Sequence, residues 1–97
     1  MNRPSYSEFE WDHGNVDKSY QKHGITPNEA EEIFLDDGLC VQKDVKHQQS
    51  EDRMIGIGRT FDKKILFVVF TTRQHCIRII SARVANLKER KIYEKGA

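Results

Sequence analysis

Apolar and acidic residues alternate over residues 9–12, where Phe9 and Trp11 are separated by Glu10 and followed by Asp12. Successive side chains of an extended chain point to opposite faces, so this pattern predicts a short edge strand with Phe9 and Trp11 turned inward. The period then lengthens. Val16 and Tyr20 lie four apart, Asp12 stands at an N-cap position and Gly24 where a left-handed residue ends a helix, which predicts a helix over 13–23. Thr26-Pro27-Asn28-Glu29 is a sharper signal: threonine takes the N-cap, proline the first turn where no amide hydrogen is needed, and Glu29 reaches back to close a capping box. The helix it opens buries Ala30, Ile33 and Phe34 and ends at Asp36-Asp37-Gly38, leaving Glu29, Glu31 and Glu32 as a solvated acidic face.

Residues 39–43 predict a strand with Leu39 and Val41 inward, and the aperiodic polar run 44–52, with His47, predicts a loop. Three strands follow. Over 53–60, Arg53, Ile55, Ile57 and Arg59 share one face, while Gly56 and Gly58 leave the other bare for the close approach of another element or a ligand. Residues 65–70 are apolar at every position, the pattern of a central strand covered on both sides. After a turn at 72–75, strict alternation places Ile77, Ile79, Ser81 and Arg83 on one face and Cys76, Arg78, Ile80 and Ala82 on the other, so arginine falls on both. Asn86 with Glu89 caps a last helix made strongly basic by Lys88, Arg90, Lys91 and Lys95. The order of elements predicts an α+β fold in which helices pack on an antiparallel sheet, a three-strand meander plus short N-terminal strands. Residues 1–7 read as a flexible lead-in, and 8–97 as a single domain.

Composition narrows the function classes. With 97 residues, 37% hydrophobic and 32% charged, the chain has material for one economical core. No apolar run is long enough to span a bilayer and the N-terminus lacks a leader pattern, so a cytoplasmic protein without membrane contact is expected. Cys40 and Cys76 stand outside any C-x-x-C arrangement, which argues against a disulfide framework or a zinc site. The net charge of +1 conceals an asymmetry: residues 1–58 carry 6 Lys/Arg against 12 Asp/Glu, and residues 59–97 carry 10 against 3. Such a chain either neutralises itself on folding or offers its basic half to a polyanion.

Gly56 and Gly58 do not make a dinucleotide fingerprint, no histidine pair has metal-ligand spacing, and no local motif suggests a Ser/His/Asp set. What remains is a group of cations with a few proton carriers: Lys22, His23, Arg53, Arg59, Arg78, Arg83, Glu89 and Tyr93. Arginine forks bind phosphate oxygens in pairs, and histidine exchanges protons near neutrality, so the inventory suits phosphate chemistry on RNA. Each residue also has a structural reading. Lys22 and His23 complement the carbonyl end of a helix, and the arginines have N-terminal carboxylates to pair with.

Taken together, F-E-W-D at 9–12, K-H-G at 22–24 followed by I-T-P-N-E-A, R-x-x-x-I-G at 53–58, V-V-F-T at 68–71, and I-R-I-I-S-A-R with the trailing K-E-R-x-x-Y resemble the BrnT family of ribonuclease toxins. The resemblance covers residues 9–96. It implies a toxin of a type II toxin-antitoxin system with a RelE-like fold, which cuts RNA, slows translation and is neutralised by a BrnA-type antitoxin. DNA is then touched only through the antitoxin. The activity that follows is that of a metal-independent endoribonuclease without cofactor. Carried over by motif, the catalytic candidates are Lys22, His23, Arg53, Arg83 and Glu89, with Arg59, Arg78, Ser81, Lys88, Arg90 and Tyr93 as RNA-binding candidates. His23 or Glu89 would take the proton of a ribose 2′-hydroxyl while Arg53 and Arg83 stabilise the phosphorane. The chain departs from the family pattern at Ser19, where asparagine is usual, and in the Asp62-Lys63-Lys64 turn, where glycine is common. The competing reading is a module that binds nucleic acid or protein with the same basic face and turns nothing over.

Overall fold

The computed structural model describes residues 8–11, 24–44 and 53–96. The expected helix over 13–23, with Lys22 and His23, and the 45–52 part of the expected loop, with His47, lie outside the described residues. In chain order the described elements are β1 (Glu8–Trp11), α1 (Pro27–Glu32), a 3-10 turn (Ile33–Leu35), β2 (Cys40–Lys43), β3 (Met54–Arg59), β4 (Ile65–Arg73), β5 (Cys76–Val84) and α2 (Leu87–Lys95). The strands form one sheet in the order β1-β5-β4-β3-β2. From β2 to β5 every pairing is antiparallel, which gives the expected meander. β1 runs parallel to β5, so the sheet is mixed and not wholly antiparallel as the sequence suggested. The reason is that alternation reads the same in either direction: it sets the face of a strand and leaves its sense open. The face itself is as expected, with Phe9 opposite Ile77 and Trp11 opposite Ile79, both packed against the core.

Thr26 caps α1. Its hydroxyl accepts the Glu29 amide hydrogen (3.2 Å), and the Glu29 carboxylate accepts the Thr26 amide hydrogen (3.1 Å). The helix buries Ala30, and the following turn buries Ile33, against the sheet face that contains Gly56 and Gly58. A Cβ at Gly58 would lie 2.8 Å from the Ile33 Cβ, so the bare glycine surface is what admits the turn. The acidic residues of α1 are not an idle solvated face. Glu29 pairs with Lys64 (2.7 Å), Glu31 accepts from the Trp11 indole (3.1 Å), and Glu32 accepts from the Phe61 amide (2.9 Å), tying the helix to β1 and to the turn between β3 and β4.

Leu66, Val68 and Phe70 of β4 are buried with Ile33, Leu39, Ile77 and Ile79 in the core between the sheet and α1. Ile65, Phe67 and Val69, on the opposite face of the same strand, are only half-buried. The continuous apolar run therefore does not mark a strand fully covered on both sides. Val41 likewise departs from expectation: opposite Gly56 on the edge strand, it stays 48% exposed while Leu39 fills the core. Cys40 and Cys76 are buried and free. No helix among the described residues is long and apolar enough to cross a membrane.

The turn between β3 and β4 is closed by Lys63 N–H to Thr60 O (2.9 Å) and Thr60 N–H to Lys64 O (2.8 Å), with Lys63 at φ 67°. A side chain at that φ crowds its own carbonyl, a cost that glycine avoids. Lys63→Gly is expected to raise stability by about 1 kcal/mol. The urea midpoint measures it, and an unchanged or lower midpoint refutes the strain.

Candidate functional site

The pairing of β4 with β5 shifts register between Val69 and Phe70. Val69 is opposite Ser81 and Phe70 opposite Ile79, so Ile80 is an extra residue without a partner, a β-bulge. Opposite residues share a face, and β4 alternates without interruption: Phe67, Val69 and Thr71 point one way, Leu66, Val68 and Phe70 the other. Their partners sort accordingly. Arg78, Ser81 and Arg83 all lie on the Phe67 face, and Ile77, Ile79 and Ala82 on the core face. Strict alternation over this strand put arginine on both faces, and the bulge corrects that. It is the step that gathers both guanidinium groups on the side away from α1.

On that side Arg53, Ile55, Phe67, Val69, Ile80, Ser81 and Arg83, with Asp44, line an open cleft of about 400 Å3. Asp44 and Arg53 reach its wall because the Asp44 amide donates to the Arg53 carbonyl (2.9 Å), extending the β2–β3 ladder by one step. Of the sequence candidates, the cleft brings together Arg53, Ser81 and Arg83. Glu89 joins them through Arg83. Ile55, Phe67, Val69 and Ile80 were not singled out from sequence, because a wholly apolar strand and a bulge give no sign of which side is left open.

The Arg83 guanidinium is held from three directions. It lies over the Phe67 ring, 4.0 Å from the centroid, a cation–π contact between cross-strand neighbours. Its Nη1 donates to Glu89 Oε1 (2.7 Å) and to the Val84 carbonyl (3.3 Å), and its Nη2 donates to Glu89 Oε2 (2.7 Å). A guanidinium has five N–H groups, and three are thus engaged. The remaining two, one on Nε and one on Nη2, run parallel along one edge. No described residue accepts from them. This is the geometry that meets two oxygens of a phosphate.

Glu89 is fixed in turn by the start of α2. Its carboxylate accepts the Asn86 amide hydrogen (2.9 Å), and Asn86 Oδ1 accepts the Glu89 amide hydrogen (2.8 Å), the capping box read from sequence. Burial alone pushes the Glu89 carboxyl up, but the Arg83 fork and the Asn86 amide outweigh it and hold it below the usual carboxylate value. The stability this adds is complete above the ordinary carboxylate range and is lost as pH falls through the lowered value.

The other candidates lie elsewhere. Arg59 and Tyr93 line a second groove with Asp36, Leu35 and Phe61. There the Tyr93 hydroxyl donates to Asp36 Oδ2 (2.6 Å), which also accepts from the Arg59 amide (2.9 Å). Burial and this bond push the Tyr93 hydroxyl up to about 12. Asp36 is raised by burial but brought below its usual value by Tyr93 and the Arg59 and Gly38 amides. Lys88 and Arg90 are exposed on α2, Arg78 is half-buried opposite Thr71, and Lys22 and His23 lie outside the described residues.

Three comparisons bear on these features. A family model described as "Ribonuclease toxin, BrnT, of type II toxin-antitoxin system" matches residues 11–89. Among solved structures, the crystal structure of the Brucella abortus ribonuclease toxin BrnT matches with a TM-score of 0.62 at 21% identity, over 81% of this chain and 96% of that one, a likeness of fold. No curated protein matches. The family match runs from Trp11, the last residue of β1, through α1, the meander and both cleft arginines to Glu89, and the chain belongs to the BrnT family of ribonuclease toxins of type II toxin-antitoxin systems.

Proposed function

We propose that this chain is a metal-independent endoribonuclease of the cytoplasm, related in fold to RelE-type ribonucleases, that cuts RNA, slows translation and is neutralised by a BrnA-type antitoxin. Residues 8–97 act as its single toxin domain, preceded by a lead-in over 1–7. The observation that carries the catalytic part is the Nε/Nη2 edge of Arg83, from which no described residue accepts, on a guanidinium braced by Phe67 and Glu89 at the edge of a cleft that also holds Arg53.

In this reading Arg83 and Arg53 grip the non-bridging oxygens of the scissile phosphate and stabilise the added charge of the phosphorane. The ribose 2′-oxygen attacks phosphorus, its proton passes to His23, and the 5′-oxygen leaves with a proton returned to it, giving a 2′,3′-cyclic phosphate and a 5′-hydroxyl. Glu89, kept ionised and committed to Arg83, is a weak base and serves to position the guanidinium. Lys22 adds positive charge beside His23. Ser81 and Arg78 extend the contact along β5, and Lys88 and Arg90, with Arg59 and Tyr93 in the second groove, meet the flanking strand.

The purified chain incubated with RNA and excess EDTA is expected to yield products ending in 2′,3′-cyclic phosphate, with no cut at a 2′-deoxy position. Loss of cleavage in EDTA, or salt-sensitive RNA binding without any cleavage, overturns the proposal; the second outcome describes a binding module.

A further inference from the structure

We propose that the apolar floor of the cleft is a nucleobase seat, so that the enzyme holds a base beside the phosphate and not the phosphate alone. Ile55, Val69, Phe67 and Ile80 present hydrocarbon to the same opening that Arg53 and Arg83 rim. A phosphate has no use for such a floor, and leaving it in water is unfavourable. A nucleotide matches both surfaces, since its anionic end suits the guanidinium groups and its ring faces are apolar and stack on flat side chains. The occupant argued for is RNA, because the chain belongs to a family of ribonuclease toxins, the Arg83 edge from which no described residue accepts can meet two phosphate oxygens, and the guanidinium lies on the Phe67 ring, 4.0 Å from its centroid. A phosphate on that edge leaves the base of the same nucleotide within reach of the floor. This seat rests on the reading of Arg83 as a phosphate fork, and its test separates the two.

The probe is a short RNA built around one mapped cleavage site, in which each nucleotide flanking the cut is replaced in turn by an abasic ribose that keeps its 2′-hydroxyl. Stacking of one base predicts that at one of these positions the abasic RNA is cut about ten- to a hundredfold less efficiently than the intact one by the wild-type chain. In Phe67→Leu, which keeps apolar bulk without the flat ring, the same comparison is expected to shrink to a few-fold. The wild-type arm needs no substitution, so a folding defect in the variant cannot decide the result. Equal cleavage of intact and abasic RNA by the wild type, with Arg83→Lys still impaired on both, overturns the base seat and leaves the phosphate site standing. An abasic penalty that is undiminished in a folded Phe67→Leu protein places the base elsewhere and also overturns it. Failure of the wild type to cut intact RNA removes the phosphate reading and the seat together.

Discussion

Cleavage of RNA by an Arg83→Lys protein is expected to be about a hundredfold slower in kcat/KM, with a thermal midpoint within a few degrees of the wild type. Lysine keeps the positive charge and can still pair with Glu89, so the ion pair and the neutral surface balance survive. What it lacks is a planar group able to give two N–H bonds to Glu89 from one edge and two more to a phosphate from another. The substitution therefore removes geometry and spares charge, and single-turnover cleavage on one RNA, with and without saturating protein, reports it directly. A loss of only two- or threefold would mean that Arg83 contributes no more than its charge. In that case the bracing by Phe67 and Glu89 is structural.

The second large effect is on stability. Gly58→Ala is expected to cost about 1–3 kcal/mol and Gly58→Val more, a large share of what holds a domain of this size together. The added Cβ meets Ile33 Cβ at 2.8 Å, Leu39 Cδ1 at 3.1 Å and the Ile33 carbonyl oxygen at 3.2 Å. The first and last belong to Ile33, a fully buried residue, and neither a Cβ nor a backbone oxygen can be moved aside by rotating a side chain. Gly56 is the internal control. There the nearest atom is the Phe70 ring edge at 3.2 Å, and the Ile33 and Leu39 methyl groups stand 3.5 Å away, so Gly56→Ala is expected to be the milder change. Urea unfolding ranks the two, and a Gly56 variant less stable than the Gly58 variant would show that α1 and its turn shift as a body.

Both effects depend on features of unequal visibility in the sequence. The Gly56/Gly58 pair announced a close approach, and Thr26-Glu29 and Asn86-Glu89 announced two helix starts, because these devices are local and act within a few residues. Phe9 and Trp11 announced their inward face for the same reason. The direction of β1 is another matter: it is decided by a partner strand nearly seventy residues away, and no short pattern encodes it. The open side of β4 was hidden because Ile65, Phe67 and Val69 read like buried residues, and hydrophobicity does not distinguish a wall that is covered from one that waits for a ligand. Glu29, Glu31 and Glu32 read as one solvated acidic face, although each has its own long-range donor. Of the site, the arginines were legible as a chemical inventory. Their assembly depended on the bulge at Ile80, where two neighbouring isoleucines give no hint of which is the supernumerary one.

That supernumerary residue bears on how this toxin surface tolerates change. Remove Ile80 and the parity of β5 is untouched: Ile79 still faces inward, Ser81 outward, Ala82 inward and Arg83 outward. What disappears is the local coil of the strand, and with it the angle at which the guanidinium leaves the backbone. The chain thus separates two properties that a regular strand couples, namely which wall a side chain belongs to and how it is aimed, so that a one-residue change in length can retune the second while sparing the first.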